Sequence, residues 1–139
     1  MKILIDCDGV LTDGRLTIDH RGRKQFKQFH TRDVRAIREL IYNGYEVVII
    51  SADDWEGINH FANKVGADVH ICRNKECVPF ENYFAIGDDA WDVGMLKNAI
   101  QAYCPLDADE SVLCIPNIIV LKTRGGRGVI AELCRSLLK

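Results

Sequence analysis

The 139-residue chain has no apolar stretch long enough to cross a membrane; the longest apolar runs, such as Val47 to Ile50, have the length of a strand. It has no excess of positive charge. Its formal net charge of −2 offers no general attraction to nucleic acid or anionic lipid, so no partner of either kind is expected. The six cysteines contain no C-x-x-C pair, and in a chain of this composition they read as reduced thiols. His70, Cys72 and Cys77 have the outline of a zinc half-site, but no second pair follows. The glycines make neither a dinucleotide fingerprint nor a Walker loop. Repeats and low-complexity linkers are absent. Met1-Lys2 leads straight into Ile3-Leu4-Ile5-Asp6 without a signal-like region, which predicts a cytoplasmic protein.

Hydrophobic residues make up 47% of the chain, enough to bury the core of one domain spanning residues 1–139. Residues 2–7 are nearly all apolar, the mark of a strand buried on both faces, and a turn rich in glycine and aspartate follows from Asp8 to Gly14. The turn His20-Arg21-Gly22-Arg23 predicts a β-hairpin between residues 15–20 and 24–29. Val34, Ile37, Leu40 and Ile41 share one helical face, and Gly44 is placed to end that helix. Glu46 to Ser51 is a second buried strand. Trp55, Ile58, Ala62 and Val65 mark a helix closed by Gly66. Strands follow at Asp68 to Cys72, Tyr83 to Gly87, Ala102 to Cys104 and Ile118 to Leu121. A short helix is expected around Val93 and Leu96, and a last one carries Val129, Leu133 and Leu137. Strands alternating with helices predict an α/β fold, a Rossmann-like parallel sheet with helices on both faces. In such sheets chemistry collects at the carboxyl ends of the strands, where Asp6, Ser51 and Asp88 fall.

The run Asp6-Cys7-Asp8-Gly9-Val10-Leu11-Thr12-Asp13 carries the chemistry. A carboxylate can attack phosphorus only if its repulsion from the phosphate dianion is offset, which a magnesium ion held by hard oxygen ligands does. Asp6 suits both metal binding and attack, forming an aspartyl-phosphate. The backbone carbonyl of Asp8 and the side chain of Asp88 are candidate second and third ligands. The Asp8 side chain suits general acid and base work. The plain alternative is a pair of solvated turn aspartates. The buried strand before them, with Gly9, Thr12 and a second acidic group at another strand end, favours the catalytic reading.

These residues resemble the motifs of the haloacid dehalogenase superfamily of phosphatases. Its D-x-D-G motif is matched by Asp6, Asp8 and Gly9 in the run from Asp6 to Asp13, its strand-ending Ser or Thr by Ser51, and its acidic motif by Gly87-Asp88-Asp89-Ala90-Trp91-Asp92. Within it, the chain resembles the capless 3-deoxy-D-manno-octulosonate 8-phosphate and nonulosonate 9-phosphate phosphatases. That likeness rests on Gly9 to Gly14, on Lys27-Gln28-Phe29-His30-Thr31-Arg32-Asp33, on Asn74-Lys75 and on Gly125-Gly126-Arg127-Gly128-Val129. It implies a capless fold with a projecting hairpin, and a magnesium-dependent phosphomonoesterase acting on a small phosphosugar, such as a 2-keto-3-deoxy sugar acid phosphate.

The same likeness implies that Ser51 hydrogen-bonds the phosphoryl group and that Lys75 neutralises it and holds Asp6 in place. It implies substrate contacts from Gly9, Arg32, Ala52 and Arg127, with Asp89 and Asp92 standing behind the metal ligands. It also implies a homotetramer in which hairpins meet and neighbouring subunits close the site. Where the family has T-G-R, this chain has Ser51-Ala52-Asp53-Asp54, which removes an arginine and adds two acids. Arg32 and Asp33 can also be read as a helix-start pair, Gly125-Gly126 as a turn, Lys75 as a surface lysine, and Trp55 and Trp91 as packing residues. His30 lies near the site but is not expected to be catalytic. A phosphatase of a nucleotide or of a nucleic-acid 3′ end, and a non-catalytic assembly module, are the alternative functions.

Overall fold

In the computed structural model, which describes residues 1–139 apart from the side chain of Cys77, six parallel strands form one sheet. They are β1 (Lys2–Asp6), β4 (Glu46–Ser51), β5 (Asp68–Ile71), β6 (Tyr83–Ile86), β7 (Gln101–Cys104) and β8 (Ile119–Val120), in the order β5-β4-β1-β6-β7-β8. β1 lies at the centre, with Asp6 opposite Ile50 of β4 and Ile5 opposite Ile86 of β6. Its apolar run has no polar face because both faces are covered. Ile3 and Ile5 enter the core packed by α1 (Thr31–Tyr42), α2 (Gly57–Val65) and α5 (Val129–Leu137). Leu4 enters a second core with residues of α3 (Val93–Lys97) and α4 (Glu110–Leu113). All three side chains are fully buried, and truncating one to alanine costs about 2–5 kcal/mol. The expected parallel sheet with helices on both faces is therefore present.

The hairpin is shorter than expected. Only β2 (Thr17–Ile18) and β3 (Lys24–Phe26) pair, as a separate two-stranded sheet. Its residues are exposed, including Leu16, Ile18 and Phe26, so no core holds a longer ladder in register. Trp55 precedes α2 instead of lying within it. α4 carries no helical run long enough to have been read from sequence.

The segment between β5 and β6 holds a single 3₁₀ turn, Lys75–Cys77, packed against α3. A Cβ on Gly94 of α3 would meet Glu76 Cα at 2.6 Å, so glycine there lets the turn approach and carries Lys75 inward. The Gly125-Gly126 stretch is tied down: Gly126 N–H donates to Val10 O at 2.9 Å and Gly125 N–H to Asp107 Oδ1 at 3.0 Å. Cys7, Cys72, Cys104, Cys114 and Cys134 are free thiols. Cys72 Sγ donates to Asn74 O and His70 packs edge-on against Phe80, while the Cys77 side chain of the suggested zinc half-site lies outside the described residues. No described helix is long and apolar enough to cross a membrane.

Candidate active site

The register of β1 with its two neighbours explains why distant residues meet. Asp6 ends β1, Ser51 ends β4 beside it, and Asp88 lies just beyond β6 on the other side. Asp6, Asp88 and Asp92 can each place a carboxylate oxygen within 4.8 Å of the others. Asp6 is 5% exposed and Asp92 1%. Asp88 Oδ1 is buried with no hydrogen-bond partner among the described residues.

Lys75 is the counterweight. It is 4% exposed; its ammonium donates to Asp6 Oδ1 and, at 2.7 Å, to Asp92 Oδ1. Asp92 Oδ2 accepts from the backbone N–H of Asp88 at 3.0 Å and of Asp89 at 3.2 Å. Asp92 thus fixes both the lysine and the loop that presents Asp88. Burial, followed by the nearby Asp92 charge, pushes the Asp6 carboxyl well above the ordinary range, although Lys75 opposes it. Burial pushes Asp88 up to about 7. Burial works against the Lys75 ammonium, but the carboxylates of Asp6 and Asp92 raise it on balance, so it stays charged.

One ammonium does not balance three closely held carboxylates. An unpartnered buried oxygen on Asp88 and a set of hard oxygen donors fit a small divalent cation. Gly9 closes one side of this cluster, since a Cβ there would meet Asp88 Oδ2 at 1.8 Å.

The adjoining cleft, of about 130 Å³, is lined by Asp6, Asp8, Ser51, Ala52, Asp53, Lys75, Asp89, Trp91 and Asp92. Most of the residues singled out from sequence therefore converge. Asp89 is exposed and caps the turn at Ala90–Asp92, accepting from Ala90 N–H at 2.6 Å. Trp91 is 70% exposed and lines the cleft, so the expectation that it packs in a core is corrected. Arg32 and Arg127 are exposed and lie outside the cleft lining. Asp33 is more than a helix-start charge: it is fully buried and Oδ1 accepts from Ala131 N–H at 3.0 Å, tying α1 to α5. His30 caps α1, its Nδ1 accepting from Arg32 N–H.

Two cleft features went unread in the sequence. Lys27 donates to Asp8 Oδ2 at 2.8 Å, and Asp53 pairs with Lys24 and Lys27. Lys27 falls within the Lys27–Asp33 motif, but nothing in its spacing from Asp8 marks the pairing.

No family model matches the chain. It is 30% identical to the 3-deoxy-D-manno-octulosonate 8-phosphate phosphatase KdsC of Escherichia coli K12, over 98% of this chain and 78% of that protein. It superposes with a TM-score of 0.90 on the cobalt-bound deoxy-D-mannose-octulosonate 8-phosphate phosphatase of Haemophilus influenzae, at 27% identity, covering 99% of this chain and 86% of that one. The Moraxella catarrhalis 3-deoxy-D-manno-octulosonate 8-phosphate phosphatase, solved with magnesium, phosphate and its sugar acid, shares the fold with a TM-score of 0.89 at 21% identity, over 99% of this chain and 84% of that one. With these relatives and this arrangement of acids, the chain is a phosphoric monoester hydrolase of the haloacid dehalogenase superfamily and belongs to the 3-deoxy-D-manno-octulosonate 8-phosphate phosphatase family.

Proposed function

We propose that the protein hydrolyses a small phosphosugar, a 2-keto-3-deoxy sugar acid phosphate being the first candidate, with Asp6 as nucleophile. The observation that carries this reading is the meeting of Asp6 with Lys75, Asp88 and Asp92 at the end of the central strand, in a cleft that also holds Asp8 and Ser51. The sugar-acid candidate is taken from the activity named for the relatives.

In the first step an Asp6 oxygen bonds to phosphorus while the ester P–O bond breaks, and Asp8 gives a proton to the departing oxygen. In the second, water attacks the aspartyl-phosphate, Asp8 takes its proton, and phosphate leaves Asp6. Lys75 holds Asp6 in line and offsets charge on the phosphoryl oxygens, and the Ser51 hydroxyl, turning its proton away from Asp53 O, donates to one of them. Backbone at Gly9 and Ala52 flanks the same group. Mg2+ would be held by Asp6, Asp88 and the backbone carbonyl of Asp8, and would supply the charge that lets a carboxylate approach a phosphate dianion. Asp89 and Asp92 support that ligand set.

Arg32 and Arg127 lie outside the cleft of one subunit, which suits contacts made from a neighbour in a homotetramer. The hairpin offers the apolar surface for such an assembly: Leu16, Ile18 and Phe26 are each more than half exposed. A panel of phosphate esters with Mg2+ tests the proposal. Sugar acid phosphates should be turned over faster than neutral sugar phosphates, nucleotides and 3′-phosphorylated oligonucleotides. Preference for an oligonucleotide end would replace the substrate assignment, and no turnover on any ester would replace the catalytic one.

A further inference from the structure

Lys27 follows the hairpin strand β3, and its side chain is only 3% exposed. Its Nζ lies 2.8 Å from Asp8 Oδ2, 3.6 Å from Asp53 Oδ2 and 5.4 Å from the centroid of the Trp55 ring. The other Asp8 oxygen, Oδ1, accepts from the Thr12 hydroxyl at 3.3 Å. Asp53 is itself fixed. Its carboxylate pairs with Lys24 and accepts from Trp55 N–H at 3.2 Å, and its backbone brackets Ser51, whose hydroxyl donates to Asp53 O at 2.8 Å and accepts from Asp53 N–H at 3.1 Å. Burying an ammonium is costly unless it is paired. Burial works to lower the Lys27 ammonium, yet the Asp8 hydrogen bond and the two carboxylates raise it on balance. This chain thus spends a buried cation on a residue of the cleft, and the acid that stands where the family carries T-G-R is one of its anchors.

We propose that Lys27 is a positioning residue for Asp8 and that Asp53 is its anchor. The inference rests on the reading of Asp8 as acid and base. When the ester P–O bond breaks and the Asp8 proton passes to the departing oxygen, a negative charge appears on Asp8. Lys27 stands beside that charge without having to move, so the ion pair strengthens as proton transfer proceeds. The lysine and the Thr12 hydroxyl together set the plane of the carboxyl, and each oxygen keeps a second lone-pair direction for a proton. A group that acts through proton donation matters for a poor leaving group and matters little for one that departs unprotonated.

The test compares leaving groups. Single-turnover release of the leaving group, which reports formation of the aspartyl-phosphate alone, is measured for two alkyl esters, 3-deoxy-D-manno-octulosonate 8-phosphate and β-glycerophosphate, and for 2,4-dinitrophenyl phosphate, with Mg2+ present, because the water attack that follows uses Asp8 alike for every ester. For Lys27→Met, the rate of leaving-group release from the alkyl esters should fall about 10- to 100-fold while that from the dinitrophenyl ester changes less than about threefold. KM should move little on all three. Lys27→Arg should recover most of the loss, and Asp53→Asn should show a smaller loss with the same leaving-group dependence. Equal losses on all three esters would make Lys27 a structural residue and overturn the inference, as would no loss on any. If Lys27→Met does not fold, Asp53→Asn decides on the same criteria. Asp8→Asn is run alongside. Should Asp8→Asn slow leaving-group release from all three esters equally, the reading of Asp8 as the acid itself fails. Should it depend on the leaving group while Lys27→Met does not, only the role of Lys27 fails.

Discussion

Gly9 stands so close to Asp88 that a Cβ at position 9 would overlap the carboxylate, at 1.8 Å from Oδ2. Its backbone has φ +89°, in the region that favours glycine. The turn that carries Asp8 and the loop that carries Asp88 therefore fit only around a residue with no side chain. Gly9→Ala should lose more than about 1 kcal/mol of stability through the backbone alone, and displacing Asp88 should also weaken Mg2+ activation of phosphate release. Urea unfolding and a Mg2+ titration of activity check this. An alanine variant equal to the parent in both would show that the two loops move apart freely.

Lys75 lies between two buried carboxylates, those of Asp6 and Asp92. Removing it leaves both uncompensated, which costs about 3–5 kcal/mol when a buried pair is broken from one side. Lys75→Met should unfold at lower urea, and Mg2+ should restore more stability to it than it adds to the parent, because a divalent cation offsets the same charges. Equal stabilisation of the two proteins by Mg2+ would separate the lysine from the metal cluster.

Asp33 is fully buried and Oδ2 has no partner among the described residues, while burial raises its carboxyl to about 6. The folded state therefore holds this proton more tightly than the unfolded chain, whose carboxyl titrates near 3.9. The sign follows from linkage: stability from this group is full below the unfolded value and is lost as pH rises towards 6. The loss is about 2–3 kcal/mol. Asp33→Asn, which keeps the acceptor for Ala131 N–H, should gain on the parent by that amount between pH 4 and pH 7 in urea unfolding. A pH-independent difference would show that Asp33 ionises without cost.

The hairpin exposes Leu16, Ile18 and Phe26, and the proposed tetramer needs them covered. Leu16→Glu combined with Phe26→Glu should lower the mass in solution from that of a tetramer to that of a smaller species, and slow turnover of sugar phosphates. A parent protein that sediments as a monomer would remove the tetramer from the account.

The sheet was legible because β1 and β4 are unbroken apolar runs that fit only a strand covered on both faces, and the helices because their apolar residues repeat at helical spacing. Asp6, Ser51 and Asp88 were placed at strand ends by the same reasoning, while the strand order is what makes those ends neighbours. The limits of the sequence are physical. Lys75 reaches Asp6 only because a 3₁₀ turn nests against Gly94, a contact with no periodic signature. The pairing of Lys27 with Asp8 spans a short hairpin whose register no core dictates. Asp33 reads as a helix-start charge until α5 is seen to deliver Ala131 to it.

The central claim is that Asp6 attacks phosphorus, and the most direct measurement is phosphate release by Asp6→Asn with Mg2+ and an ester that the parent hydrolyses, in a sample whose fold is verified by circular dichroism. Asparagine keeps the size of the side chain and removes the nucleophilic charge. The account predicts no Mg2+-dependent release above the uncatalysed background. Release at the rate of the parent would contradict it.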